Sequence, residues 1–183
     1  MRPQMGRFSS CGDTPLVGRL GSLRALNRVR RNHALEHATI SIVTERHPAV
    51  FLRGRSNRRG FYIFGLIATG DLRAAIDEAL RRLEVGESHL AIHPRCGTNL
   101  AVAGILSGVA ASVAASIRPR QNRFAYAILA SIAALIVSPP IGTSAQRHLT
   151  TLAEMSGMRV VKVERRRFPF LREPVHWVQT ESI

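Results

Sequence analysis

The sequence predicts an α+β fold: a small mixed helix/strand domain interrupted by a two-helix transmembrane hairpin. Three observations predict it. Between Arg95 and Arg118 lie 22 residues without a charge, and between Arg123 and Arg147 another 23. Segments with the 3.6-residue apolar period of helices precede the first run. Short β-branched and aromatic segments, the signature of strands, occur on both sides of the pair of runs.

Residues 1–21 are basic and rich in Gly, Ser and Pro, and they lack the apolar run of a secretory signal. They are predicted to form a flexible leader. Ser22 to about Arg46 reads as a helix on which Leu26, His33, His37 and Ile40 share one face and Leu35 and Ile42 the other. Apolar residues on both sides predict burial by neighbours on two sides. Pro48, Gly54 and Gly60 break that pattern, and Phe61–Ile67 then reads as a strand. Thr69 or Asp71 is placed to cap a second helix running to about Leu83. Its apolar positions Leu72, Ile76, Ala79, Leu80 and Leu83 make one stripe, followed by Gly86. His89–Pro94 is predicted as a short strand that delivers the chain to the membrane.

The first apolar run contains Asn99–Ile117, 19 residues that reach roughly 28 Å as a helix, close to the thickness of a hydrocarbon core. The second is expected to end or kink at Pro139 and Pro140. That leaves Phe124–Ser138, about 15 residues and barely ~22 Å. Gly104, Gly108, Ser112 and Ser116 form a small-residue stripe, with Ala127, Ser131, Ala134 and Ser138 opposite. Such stripes let helices approach closely in lipid, within a hairpin or in a homo-oligomer. A further helix from Thr143 to Gly157 and two strands, Met158–Phe168 and Pro174–Thr180, complete the chain. The soluble domain is thus residues 22–95 and 143–183, with the hairpin at 96–142. Two spans place both termini on one side, expected to be the cytoplasm.

Lys+Arg total 26 against 12 Asp+Glu, a net charge of +14, yet the mean hydropathy is +0.02. Basic and apolar residues are therefore segregated, which excludes a disordered polycation. Two cysteines, Cys11 and Cys96, make no disulfide framework. Arg53, Arg55, Arg58 and Arg59 form one basic loop, Arg165–Arg167 with Arg172 a second, and Arg118, Arg120 and Arg123 occupy the link of the hairpin. Beside a membrane span these arginines are expected to meet anionic head groups of the lipid bilayer, at about 1 kcal/mol each. Nucleic acid is not expected, because no aromatic platform, zinc finger or recognition helix accompanies the charge.

Chemistry concentrates in His33-Ala34-Leu35-Glu36-His37. Histidines at i and i+4 on a helix can reach one metal ion, and Glu36 beside them is placed to act as general base. A second cluster, His93-Pro94-Arg95-Cys96, offers two more donors across a turn. With His93 as third ligand the site is His₃ and open, suited to hydrolysis; with Cys96 as fourth it is closed and structural. Zinc is the expected cofactor. Cys96 acting as a nucleophile, with His37 or His93 as its base, is a third arrangement.

RRNHALEHATI (Arg30–Ile40), GFYIFG (Gly60–Gly65) and HLAIHPRCGTNL (His89–Leu100), followed by a small-residue apolar hairpin, resemble an uncharacterised family of small bacterial membrane proteins. The likeness runs from about Arg28 onward and implies architecture rather than activity. More locally, His33–His37 resembles the H-x-x-E-H motif of the inverted-zincin metallopeptidases. That resemblance implies zinc on His33 and His37 with Glu36 as general base. Those enzymes take a downstream Glu as third ligand; here the comparable distance falls in the first apolar run, which has none, so His93 would have to replace it.

Overall fold

The computed structural model describes residues 15–117, 119–171 and 173–182. In chain order the elements are α1 (Pro15–Arg46), β1 (Arg53–Asn57), β2 (Gly60–Phe64), α2 (Thr69–Glu84), α3 (Gly97–Ile117), α4 (Arg123–Ala145), β3 (Met158–Arg166) and β4 (Val175–Ser182). Residues 1–14 of the expected leader, with Cys11, lie outside the described residues, as do Arg118 and Arg172, whereas the helix begins at Pro15 rather than Ser22.

The four strands form one antiparallel sheet in the order β1-β2-β4-β3. Pairing of β2 with β4 joins segments from before and after the apolar hairpin, so the hairpin is an insertion into one α+β domain. Alternation along β2 sends Phe61 and Ile63 to the inner face and Tyr62 and Phe64 to the outer one. Phe61, Ile63 and Val178 meet Leu35 and Ile42 of α1, Leu72 and Ile76 of α2, and Met155 and Met158 in the core. Burying each large side chain contributes about 1.5–3 kcal/mol. The central part of α1 is buried on two sides as its pattern predicts, but Leu26 is 53% exposed and lies beyond that packed region.

Several segments differ from the sequence reading. Arg53–Asn57, read as a basic loop, is β1, closed by a two-residue turn at Arg58–Arg59. Its alternation of Arg with Gly and Ser hid the strand, because an edge strand tolerates basic outward residues. His89–Pro94 is not a strand: Ser88–Ala91 forms a 3₁₀ turn. Ala68 precedes α2 without any side-chain cap, so neither Thr69 nor Asp71 plays that role.

Pro139 and Pro140 lie inside α4, which runs to Ala145 and continues through a wide, π-type turn at Gln146–Thr150. No separate helix spans 143–157. Both α3 and α4 are therefore long and apolar enough to cross a membrane. Residue burial places Ala134, Ser138 and Gly142 of α4 against α3, and the Ser107 and Ser131 hydroxyls each donate to the other's carbonyl at 3.4 Å. At the base, a Cβ on Gly142 would stand 3.1 Å from the Cα of Asn99, so glycine is what lets the helices close there. The expected α4 stripe is used, but Gly104, Gly108, Ser112 and Ser116 are exposed. The hairpin contact on α3 runs through neighbouring residues instead.

Candidate functional site

The site assembles where α1 crosses the base of the hairpin. One ligand atom each from His33, His37 and Cys96 lies within 4.8 Å of the others. Two of the three come from one helical turn of α1, and their rings meet edge-on with centroids 4.2 Å apart. Cys96 arrives from the residue just before α3. Its Sγ stands 3.4 Å from His33 Nε2 and accepts the Thr98 N–H at 3.4 Å.

Both histidines are held in one tautomer. His33 Nδ1–H donates to the Thr150 carbonyl at 3.0 Å, and His37 Nδ1–H donates to the Ala91 carbonyl at 2.7 Å. Each therefore keeps its Nε2 lone pair for the site, the outer contact that orients metal-ligating imidazoles. The Thr150 carbonyl belongs to the wide turn after α4, so that turn positions one of the two site histidines. Tetrahedral zinc places N and S donors about 3.5 Å apart, so the donor set fits with a small contraction.

Glu36 is buried beside His37, and its Oε2 accepts a hydrogen bond from Ser56 Oγ on β1. Gly54, on the same strand, has no room for a Cβ because one would collide with the Glu36 carboxylate. Burial holds the Glu36 carboxyl above its ordinary range, against the pull of Ser56, His37 and His33. Burial also opposes a thiolate at Cys96, yet hydrogen bonds from His33 and His37, the His37 charge and the Thr98 amide bring it down to about 5. Burial likewise opposes charge on His33, but the Cys96 contact and the Glu36 carboxylate leave its pKa raised. In the absence of metal the contact thus favours the thiolate of Cys96 and raises the proton affinity of His33.

His93 stands next to this group rather than within it. Its ring lies 5.9 Å from that of His37, and its Nδ1 accepts the Arg95 N–H at 3.2 Å. Burial, then the charges of His37 and Arg95, lower its pKa to about 4. It is a neutral imidazole at neutral pH.

The sequence reading missed the residues that brace this arrangement. Gln146 is fully buried; its Oε1 accepts the His93 N–H at 3.0 Å and its Nε2 donates to Asn99 Oδ1 at 2.7 Å. Asn99 Nδ2 in turn donates to the Pro94 carbonyl at 2.8 Å. The turn carrying His93 and Cys96 is thereby tied to both apolar helices. One signal was available: Asn99 and Gln146 are the carboxamides of the two charge-free runs.

The arginines separate. Arg53 and Arg55 point from the outer face of β1, where Arg53 pairs with Glu173 at 3.2 Å. Arg58 and Arg59 sit in the β1–β2 turn. Arg120 and Arg123 lie at the far tip of the hairpin, about 30 Å along α3 from Cys96, with Arg123 over the Phe124 ring.

A Cys11→Ser protein, stripped of metal, checks the electrostatics directly. Ultraviolet thiolate absorbance of Cys96 should titrate with a midpoint near 5, thiol below and thiolate above. Adding His33→Ala should move that midpoint up by several units, towards the ordinary thiol range. A midpoint that stays near 5 in the His33→Ala protein, or one near 8.5, the unperturbed value, in the protein that keeps His33, would refute the pairing.

Residues 28–163 match the family described as DUF6391, a domain of unknown function. An uncharacterized protein of Picosynechococcus sp. (strain ATCC 27264 / PCC 7002 / PR-6) is 39% identical over 140 residues, covering 70% of this chain and 68% of that protein. No solved structure matches.

Proposed function

We propose that this chain, which belongs to the DUF6391 family of unknown function, is a membrane-anchored, zinc-dependent hydrolase of peptidase-like chemistry. The carrying observation is the convergence of His33, His37 and Cys96, with their ligand atoms within 4.8 Å. Three protein donors with a fourth position left over is the coordination of catalytic rather than structural zinc. A zinc ion held there supplies Lewis-acid polarisation of a carbonyl and activation of water. Glu36 takes the proton from the attacking water and returns it to the leaving group, a role suited to a carboxyl raised by burial. His93, neutral beside His37, orients substrate at the open position.

Anchoring rests on α3 and α4. None of the α3 residues is buried in the protein, which suits lipid contact and not the core helix of a soluble domain. Because β2 pairs with β4 across the insertion, the sheet-bearing segments share one side of the membrane, which we assign to the cytoplasm. Arg53 and Arg55 on that side, and Arg120 and Arg123 at the tip, are placed to meet anionic head groups of opposite leaflets.

The burial of His37 and Cys96 favours a second reading, a non-catalytic membrane module with a structural His/Cys site. Metal analysis of the detergent-purified protein tests the shared premise. The wild type should hold stoichiometric zinc after desalting, and His37→Ala and Cys96→Ser should each lose it. A metal-free wild type, even after incubation with zinc at neutral pH, would sink both readings.

A further inference from the structure

The N-terminal half of α1 and the β1–β2 turn border a half-open cavity of about 930 Å³ whose lining includes Arg24, Arg28, Arg31, Arg58 and Arg59. Arg24, Arg28 and Arg31 follow at intervals of four and three, which aligns them on one helix face. Arg58 and Arg59 approach from a turn that is remote in sequence. Among the described residues no acidic side chain lines the space. Among the described residues only Arg31 of the five makes an ion pair, with Glu154 at 3.4 Å. Arg28 donates instead to the Ser182 carbonyl at 3.2 Å, and the buried Nε of Arg31 has no partner. Like charges gathered around a concave space repel one another, so the arrangement favours an anion that neutralises several of them together.

We propose that this cavity binds a multiply charged phosphate, a pyrophosphate- or triphosphate-type group, free or carried by a lipid head. This goes beyond the metal site and does not depend on it. Guanidinium forks match phosphate oxygens bidentately where ammonium groups would not. The volume lies in the range of small-ligand pockets, larger than one phosphate requires. Among the described residues no aromatic side chain lines it to stack a base, which argues against a nucleic-acid strand.

The test is titration of the full-length protein, in uncharged detergent, with inorganic tripolyphosphate. Wild type should bind, and Arg28→Ala/Arg59→Ala should bind at least about tenfold more weakly. Arg53→Ala/Arg55→Ala, on the outer sheet face, should bind as wild type does. In phosphate-free buffer the Arg28/Arg59 protein should unfold at a temperature no lower than wild type, since its repulsion is relieved, and tripolyphosphate should stabilise only the wild type. Arg59→Ala alone serves if the double variant folds poorly. Repetition in phosphatidylcholine nanodiscs with and without phosphatidate separates the sources: loss of tripolyphosphate binding when phosphatidate is present identifies a lipid head group, and unchanged binding a free phosphate. Failure of wild type to bind either anion would overturn the site. So would equal weakening by the Arg53/Arg55 control, or tighter binding of a single-stranded oligonucleotide than of tripolyphosphate.

Discussion

Glu36→Gln should keep its zinc and lose hydrolysis by about 10²–10⁴-fold, the range carried by a positioned general base. The measurement is turnover of a quenched-fluorescent peptide panel, with zinc content determined on the same samples. Gln fills the space left against Gly54 and can still hydrogen-bond Ser56, so the fold has no steric reason to change. Stability argues the same way. The carboxyl's pKa is raised in the folded chain, so the stability contributed by its protonated form is fully present below the unfolded carboxylate pKa and is lost as pH rises through the folded value. At neutral pH the carboxylate charge is a cost to folding, and Gln removes it. Lost turnover in this variant is therefore chemistry and not unfolding. In the wild type activity should rise with deprotonation of Glu36 along the acid limb of the pH–rate profile, and Gln should abolish that limb. No turnover in either zinc-loaded protein would leave the structural reading of the site in possession, and equal turnover in both would remove Glu36 as the general base.

The site was legible where it is local and obscure where it is assembled. His33, Glu36 and His37 fall within one turn of a single helix, so spacing alone predicts their shared face. Cys96 was identifiable as a donor because a cysteine two residues after Pro94, at the edge of a charge-free run, stands out chemically. What spacing cannot supply is direction. Spacing made His93 the third ligand and Cys96 a fourth; in the structure Cys96 joins the two histidines, while His93 Nδ1 accepts the Arg95 N–H and its own backbone N–H donates to Gln146. The fold divides similarly. The α2 stripe and the β3–β4 pair follow from periods of 3.6 and 2, whereas β1 is polar throughout and becomes a strand only because β2 lies beside it. Pro139 and Pro140 misled because a proline penalty is local, while α4 is held along its length by its small-residue face against α3.

Gln146→Leu should weaken zinc binding by about 10–100-fold, the effect of losing an outer-shell support, although Gln146 touches no ligand atom. It is fully buried, so Leu matches its burial and removes its polarity. The His93 N–H and Asn99 Oδ1 lose their partners, each stranded group costing about 1–3 kcal/mol. The cheapest relief is for the Pro94–Asn99 turn to lift away from α4. That movement carries Cys96 from His33 and loosens the Thr150 carbonyl that fixes the His33 tautomer. Competition against a chromophoric chelator measures the affinity, and thermal unfolding of metal-free protein measures the stability. Gln146→Glu keeps an acceptor for the His93 N–H but faces Asn99 Oδ1 with a second oxygen, so it should fall between Leu and wild type. Zinc affinity unchanged in the Leu protein would mean that the hairpin anchors the domain without shaping the site. A loss in affinity would make the two apolar helices part of the metal centre, and the carboxamides at their bases the link between membrane and chemistry.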